Sequence, residues 1–592
     1  MTTGHEETEP LSAALAAEAE AWMAADPDPS TRAELAALLD AADGAGVRAR
    51  FESPLAFGTA GLRGALGAGP ARMNRLVVRA TTAGVAQWVL GQGAEAARRG
   101  IVVGRDARHG SDEFARDVVA VAGGAGVRVR VFPHPLPTPL TAFAVKHLGA
   151  AAGVMVTASH NPAADNGYKV YMADGAQVIP PDDAFIAEAA SAAMASAIAS
   201  PAGSLASSTT ALDTAAAERC EPIDEAELLG AYRRAAFGLL DPAGPRRLRI
   251  VYTPLHGVGG EVLPELLEQA GFGPVSVVAA QGAPDPDFPT VAFPNPEEPG
   301  ALDLALADAI RLGADLVLAN DPDADRLAIA VPDRLSGEWR MLKGDELGVL
   351  LADHVLSTTS GDDRLVATTI VSSTMLSAMA QAAGVACVET LTGFKWIARA
   401  ALRRPGLRFV FGYEEALGYQ VGDAVSDKDG LSAALVVAEI AAGAKAKGAS
   451  VTDRLDSLAS RFGVHATAQW SLRLEGPTAQ GEMAEIVGRW RTHPPSTLAG
   501  LAVTELVDLS DGAGELPATN ALVLRLAKGA RVVLRPSGTE PKLKVYFEVV
   551  TAPRSLERLA GERRRADLLL GSLQDDVAAR CQSMRGSSAS EA

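Results

Sequence analysis

Three aspartates at alternate positions, Asp321, Asp323 and Asp325, sit between two apolar runs in LVLANDPDADRLAIAV, residues 316–331. Like charges ~4 Å apart repel by about 1 kcal/mol in water, and by several times that near protein. A divalent cation relieves the repulsion, and hard oxygen ligands point to Mg²⁺ or Ca²⁺. An EF-hand does not fit, because Arg326 stands where that loop needs glycine and Pro332 where it needs a glutamate. A solvated acidic turn is the plain alternative, and the two apolar strands that clamp the loop argue against it.

Other stretches carry complementary chemistry. RPSGTEPKLK (535–544) gathers Arg535, Ser537, Gly538, Thr539, Lys542 and Lys544. A guanidinium fork, hydroxyl donors and an approachable glycine backbone suit a phosphate monoester; an ordinary polar turn is the alternative. FGYEEALGY (411–419) puts Glu414 and Glu415 after a strand, where carboxylates can accept hydrogen bonds from sugar hydroxyls. LTGFKWI adds Lys395 in a glycine turn, and FGTAGLRG places Arg63 in a glycine-rich loop. In GVMVTASHNP, a buried strand delivers Ser159 and His160 into a turn shaped by Asn161 and Pro162, with Lys169 close along the chain. The G-x-S-x-G elbow of a hydrolase is absent there, and His160 is a sequence neighbour of the serine rather than a triad base. A serine near a metal-bound carboxylate group, with a separate phosphate cradle, suits a phosphoryl carrier; a helix-capping serine is the plain alternative. For the aspartate loop, a phosphatase of the haloacid-dehalogenase type stays open, although the late position of the motif and Arg326 after the third aspartate count against it.

The elements that must position these groups read as alternating strands and helices. Strand candidates are IVVGRD (101–106), VRVRVFP (127–133), GVMVTAS (153–159), RLRIVYTP (247–254), ADLVLAND (314–321), RLAIAV (326–331), RLVATTIV (364–371) and RFVFGYEE (408–415). Alanine- and leucine-rich helical stretches separate them, the pattern of mostly parallel α/β sheets. Ahead of them, residues 11–43 read as two helices split by DPDPST, with Ser30 or Thr31 as N-cap. The last third reads as α+β: two strands around a Lys-Gly turn in ALVLRLAKGARVVLRPSG, a strand in KLKVYFEVV, and a helical tail from about Ser555. The stretch 187–218, rich in Ala, Ser and Thr, reads as a surface excursion or loose insert. Three strands end in loops of unusual chemistry, at Ser159, Asp321 and Glu414, and open α/β sheets bind ligands beyond their carboxyl ends.

At 592 residues, the chain exceeds one core. Its composition, 48% hydrophobic and 21% charged, is that of a soluble globular protein. A net charge of −18 argues against general nucleic-acid binding, while a local basic pocket still admits a small anion. Cys220, Cys387 and Cys581 are scattered without CxxC spacing, so neither a disulfide framework nor a zinc site is expected, and a reducing cytoplasm fits. No secretory signal or bilayer-spanning run is expected.

Taken together, TASHNP, DPDADR, GYEEA and RPSGTEPK resemble the α-D-phosphohexomutase superfamily of phosphoglucomutases and phosphomannomutases, over nearly the whole chain and in the expected order. FGTAGLRG, YTPLHGVGG, LTGFKWI and SDKDG resemble most its phosphoglucomutase-2 and phosphopentomutase branch. The resemblance implies three similar α/β domains with mixed, mostly parallel sheets and a C-terminal α+β domain around a central cleft. The expected divisions are 1–220, 221–340, 341–465 and 466–592. It implies a phosphorylated Ser159 and one Mg²⁺ per chain held by Asp321, Asp323, Asp325 and a phosphoserine oxygen, with Arg63 and Arg326 stabilising the moving group. Lys169 and Lys395 are proton-transfer candidates, and His160 supports the serine loop. Thr59, Glu414, Glu415, Lys428, Arg535, Ser537, Gly538, Thr539 and Lys542 would bind substrate. The expected reaction interconverts glucose 1- and 6-phosphates through a bisphosphate, with glucose 1,6-bisphosphate as primer. The alternatives are a phosphopentomutase or phosphomannomutase and, in another class, a metal-dependent sugar phosphatase. Two positions depart from relatives. Ala416 stands where some carry serine, so a sugar contact is missing, and Phe394 stands where others carry histidine, which favours a phosphoglucomutase-like proton relay over the phosphomannomutase type. The expected partners are small sugar phosphates, without nucleic acid or membrane, for a cytoplasmic monomer or homodimer.

Overall fold

The computed structural model describes residues 11–56, 61–201, 218–333, 337–474, 478–537, 542–552 and 556–585. The chain divides into two compact units, Met1–Ile329 with Asp423–Ala438, and Ala330–Gly422 with Glu439–Ala592. Among the described residues, no helix is long and apolar enough to cross a membrane.

The first unit opens with three helices, Ala13–Ala25, Pro29–Asp40 and Gly44–Phe51. The second is capped by Asp28, which accepts from the Ser30 amide at 2.8 Å, and not by Ser30 or Thr31. Pro29 at the first helical position moves the start ahead of both hydroxyls. Trp22 and Phe51 meet edge to face, 6.0 Å apart, and close the core beneath these helices.

The unit's first sheet comprises β1 (Leu62–Ala65), β2 (Ile101–Arg105), β3 (Val129–Val131), β4 (Ala152–Val156), β5 (Asp165–Met172) and β6 (Cys220–Pro222), in the order β1-β5-β4-β2-β3-β6. Strands β4, β2, β3 and β6 run parallel, and β5 and β1 add antiparallel. Every residue of β4 is buried, as helix-covered parallel strands require. The alanine-rich stretch after β5 is partly a helix, Asp182–Ala199, rather than a loose insert. It packs on helix Arg75–Gly91 at Gly84, where a Cβ would stand 2.5 Å from the Ile186 carbonyl, and it buries Ile186 there. The unit's second sheet holds β7 (Ile250–Thr253), β8 (Val275–Val277), β9 (Leu316–Ala319) and β10 (Ala328–Pro332), in the order β10-β9-β7-β8.

β10 runs on into the second unit and pairs antiparallel there with β11 (Trp339–Met341). That unit's next sheet has β12 (Arg364–Thr369), β13 (Ala386–Thr390), β14 (Arg408–Glu414) and β15 (Gly418–Val421), in the order β13-β12-β14-β15, with only β15 antiparallel. The last sheet, β16 (Val464–Arg473), β17 (Thr497–Leu498), β18 (Leu501–Asp508), β19 (Leu522–Leu526), β20 (Arg531–Pro536) and β21 (Lys542–Thr551), orders as β16-β21-β20-β19-β18-β17 and is wholly antiparallel. Helix Leu559–Arg585 packs on β16 and β21. The fold is three α/β sheets of mixed, largely parallel strands followed by an α+β domain. In each α/β sheet, the strand carrying unusual chemistry at its end, β4, β9 or β14, leads directly into the next strand.

Candidate active site

The loop after β9 begins with Asn320, whose side-chain Nδ2 donates to the Arg326 carbonyl at 2.5 Å and closes 320–326 into a ring. Ala324 takes a left-handed φ of 54° within it. Asp321, Asp323 and Asp325 are all buried, and each offers a carboxylate oxygen within 4.8 Å of the others. Asp321 Oδ1 accepts from the Arg326 amide at 3.0 Å. Asp323 Oδ2 accepts from Thr138 Oγ1 at 2.6 Å and from Lys169 Nζ at 2.8 Å. Asp325 Oδ2 accepts from Lys169 at 2.8 Å and lies 3.3 Å from Lys428 Nζ.

Asp323 Oδ1 and Asp325 Oδ1 are buried and have no hydrogen-bond partner among the described residues. Buried, unpaired carboxylate oxygens are costly, and a hard cation would satisfy them. The donor set therefore fits a divalent metal ion. Burial and the two neighbouring carboxylates push Asp321 up to about 8. Burial also acts upward on Asp325, but Lys169 and Lys428 win and hold it well below the usual carboxylate range.

Ser159 reaches this group from β4. Its Oγ donates to Asp321 Oδ2 at 2.6 Å and lies 3.2 Å from His160 Nδ1. Its φ is 52°, a left-handed value, and its amide donates to Thr157 Oγ1 at 2.8 Å. Burial, with Arg326 and Arg63 nearby, depresses the His160 imidazole well below its ordinary value, so it is neutral beside the serine. Strand β5 aims Lys169 by alternation: Lys169 and Tyr171 share a face, and Tyr171 donates to Asp427 at 2.9 Å. Gln177 donates to the same carboxylate at 2.8 Å. Asp427 and Asp429 flank Lys428, and Asp429 accepts from Tyr232 at 2.8 Å and from the Leu431 amide at 3.0 Å. Arg63 reaches Asn161 Oδ1 at 3.4 Å, and Arg326 Nε lies 4.0 Å from Asp321.

The first unit thus brings together Ser159, His160, Lys169, Arg63, Arg326, Lys428 and the three aspartates. The second unit carries the remaining expected residues. Glu415 accepts from Ser372 Oγ at 3.0 Å and Thr369 Oγ1 at 3.3 Å, and enclosure with the charge of Glu414 pushes its carboxyl up to about 7. Arg535 hydrogen-bonds the Tyr546 hydroxyl, whose ionisation burial and the charges of Glu415 and Glu414 oppose, so these groups share one neighbourhood. The Ser537 amide donates to the Lys542 carbonyl at 2.7 Å. Lys395 is buried with its ammonium over Trp396, 5.9 Å from the ring centre, and Phe394 is buried in an apolar cluster with Leu365 and Phe409. Thr59, Gly538 and Thr539 lie outside the described residues, as does Ser555.

Sequence reading missed Thr138, Asp427, Gly257 and Arg108. A Cβ on Gly257 would stand 2.3 Å from Pro322 Cα, so only glycine lets this turn meet the aspartate loop. Arg108 follows the carboxyl end of β2, the position that flagged the other loops, and donates to the Ser159 carbonyl at 2.6 Å.

Family models for phosphoglucomutase/phosphomannomutase match in order: alpha/beta/alpha domain I at 54–196, domain II at 233–336, domain III at 343–462 and the C-terminal domain at 498–566. The chain belongs to the phosphoglucomutase/phosphomannomutase family. It lies in the superfamily's phosphoglucomutase-2 branch and is an enzyme of the intramolecular phosphotransferase class. A probable phosphoribomutase of Schizosaccharomyces pombe is 38% identical over 556 residues, 89% of this chain and 92% of that one. A probable phosphomannomutase of Haemophilus influenzae is 39% identical over 506 residues, 83% of this chain and 96% of that one. A putative phosphomannomutase structure from Thermus thermophilus shares the fold, with a TM-score of 0.63 at 24% identity, over 87% of this chain and 99% of that one.

Proposed function

We propose that this enzyme moves a phosphoryl group between the anomeric and terminal oxygens of an aldose phosphate, with Ser159 as carrier and pentose phosphates as preferred substrates. The observation that carries the reaction type is Ser159 Oγ at 2.6 Å from a carboxylate of the buried aspartate group. Asp321, Asp323, Asp325 and the serine oxygen would hold Mg²⁺, which when bound withdraws charge from the phosphoryl group.

Each cycle has two transfers. Phosphoserine gives its phosphoryl group to the free hydroxyl of a sugar monophosphate, leaving Ser159 free and a bisphosphate bound. The bisphosphate turns, and its other phosphoryl group returns to Ser159. Arg63 and Arg326 neutralise the equatorial oxygens during transfer. Lys169 is protonated between two carboxylates 2.8 Å away, which suits it to donate a proton or a positive charge rather than to accept a proton. His160, neutral and 3.2 Å from Ser159, steadies the serine. In the second unit, Lys395 is the remaining candidate for proton transfer. Glu414 and Glu415 are suited to sugar hydroxyls, and Arg535, Ser537, Gly538, Thr539 and Lys542 to the non-reacting phosphate. We retain 1–220, 221–340, 341–465 and 466–592 as the working domain divisions.

For the sugar, the phosphoribomutase-named relative supports pentose, since it aligns over 89% of this chain at 38% identity. The expectation of glucose phosphates has less support than its alternatives. The second reading is mannose phosphate, favoured by the 39% identical relative named for it. Phe394 counts against that reading, because a buried phenyl ring offers no proton relay. Parallel assays of ribose, mannose and glucose 1-phosphates, primed with glucose 1,6-bisphosphate, test the choice. Ribose 1-phosphate should give the highest kcat/KM; a higher value for either hexose phosphate would overturn the pentose assignment.

A further inference from the structure

The turn that carries Ser159 bends so that four of its carbonyl oxygens converge, and one side chain meets all four. Arg108 Nη2 donates to the carbonyls of Ser159 and Asn161, both at 2.6 Å. Its Nη1 donates to those of Pro162 at 2.7 Å and Asp165 at 3.2 Å. Nε lies 3.3 Å from Asp106 Oδ2, and the other oxygen of Asp106 accepts from the Arg108 amide at 3.0 Å and Ser111 Oγ at 2.6 Å. A planar fork with five donors meets this demand, and an ammonium does not. Without it, the buried Ser159 carbonyl would lose this donor, while the Pro162 carbonyl would keep the Asp165 amide at 3.1 Å.

The face of the same guanidinium lies 4.8 Å from the ring centre of Phe288, a buried residue with φ of 46°. Phe288 in turn meets the His256 imidazole edge-on, at 6.5 Å. His256 is fixed by Thr290 Oγ1 at 2.8 Å and, through its amide, by the Gln281 carbonyl at 3.0 Å. The next residue, Gly257, lies directly against Pro322, and the Val258 amide donates to the Pro322 carbonyl at 2.8 Å. Pro322 stands between two of the aspartates. An unbroken line of contacts therefore runs from the serine carbonyl to the aspartate loop through Arg108, Phe288, His256 and Gly257.

We propose that Arg108 and Phe288 form a brace that sets the position of Ser159 Oγ relative to the aspartate loop, and that both are positioning residues for phosphoryl transfer. The inference rests on the mutase reading above. A brace acts on geometry, so its loss should lower kcat and leave ground-state binding alone, and small misplacements of a reacting atom cost about 100-fold in rate.

The test uses the full-length enzyme. Arg108→Lys should lower kcat about 100-fold at unchanged KM. Rapid-quench intact mass should show a matching slowdown in Ser159 phosphorylation by glucose 1,6-bisphosphate. Millimolar guanidinium should restore rate to Arg108→Ala, and methylammonium should not. A lysine variant with wild-type kcat, a loss confined to KM or metal affinity, or an alanine variant deaf to guanidinium would overturn the brace. Phe288→Leu keeps the question open to test if Arg108 variants do not fold: kcat should fall about tenfold at unchanged KM, and wild-type kcat there overturns the proposal. A wild type that neither isomerises sugar phosphates nor becomes phosphorylated would overturn the mutase reading and the brace with it. An active wild type beside an unimpaired lysine variant overturns the brace alone.

Discussion

At the scale of single residues, the aspartates share a loop but not a task. Asp321 faces the serine, while Asp323 and Asp325 share Lys169 and each keep one unpaired oxygen. Asp323→Asn removes one charge from both the cation group and Lys169. The Mg²⁺ needed for half-maximal rate should rise at least about tenfold, given that loss of even an outer partner costs 10- to 100-fold in metal affinity; titration of activity against Mg²⁺ after chelation checks this. Glu415 supplies a pH prediction. Its carboxyl is raised from 4.5 to about 7, so the folded chain holds a proton there that the unfolded chain releases. Its contribution to stability therefore falls as pH rises across that window. As a carboxylate acceptor for a sugar hydroxyl it is charged only above about 7. KM should fall as pH rises through neutrality, and Glu415→Gln should flatten that profile.

At the scale of elements, the loops are held by close approaches rather than by their own sequence. Gly257→Ala would drive a Cβ to 2.3 Å from Pro322 Cα and 2.4 Å from its carbonyl oxygen, both backbone atoms that cannot swing away. The aspartate loop must shift, so kcat should drop about 100-fold. Because it moves the aspartates themselves, this variant should also lose metal affinity, which Mn²⁺ binding would read. In the second unit, Arg531 of β20 lies 3.0 Å from buried Glu548 of β21 and donates to the Ser372 carbonyl at 2.5 Å. Burial acts upward on Glu548, but His465 and Arg531 hold it at about 2. That stability is present above 4.5 and lost as pH falls from 4.5 to 2. Arg531→Met removes one charged partner of the carboxylate, which keeps its bonds to Ser373, Thr374 and His465, and should cost about 1.5–3 kcal/mol, read from the urea midpoint of the second unit. These contacts also explain what the sequence disclosed. Fully buried β4 and β9 show as apolar runs, and their ends showed the chemistry. β5 did not show, because Lys169 and the tyrosines that flank it break any alternation of apolar and polar residues. Helix Asp182–Ala199 read as loose because alanines on every side leave no apolar stripe.

At the scale of the whole molecule, the chain folds back on its own order. The first unit takes in Asp423–Ala438 from beyond the third sheet, and that return brings Lys428 to Asp325. No spacing rule could give this pairing, which joins residues about a hundred positions apart, nor the Thr138 bond to Asp323, and only the folded chain reveals Arg108 as the partner of four carbonyls. The motif order and the superfamily were legible, because serine, aspartates, paired glutamates and phosphate loop each carry chemistry at fixed strand ends. The sugar was not legible, since hydroxyl-accepting glutamates do not distinguish one aldose from another. The central claim is that Ser159 returns a phosphoryl group to sugar instead of to water. The measurement is isomer formation and inorganic phosphate release, followed together on ribose 1-phosphate as glucose 1,6-bisphosphate is raised, for wild type and Ser159→Ala. Isomer formation activated by the bisphosphate, with phosphate release a small fraction of turnover and no isomerisation by the alanine variant, is the predicted result. Phosphate released with every turnover and no bisphosphate activation, or full isomerisation by Ser159→Ala, would contradict it.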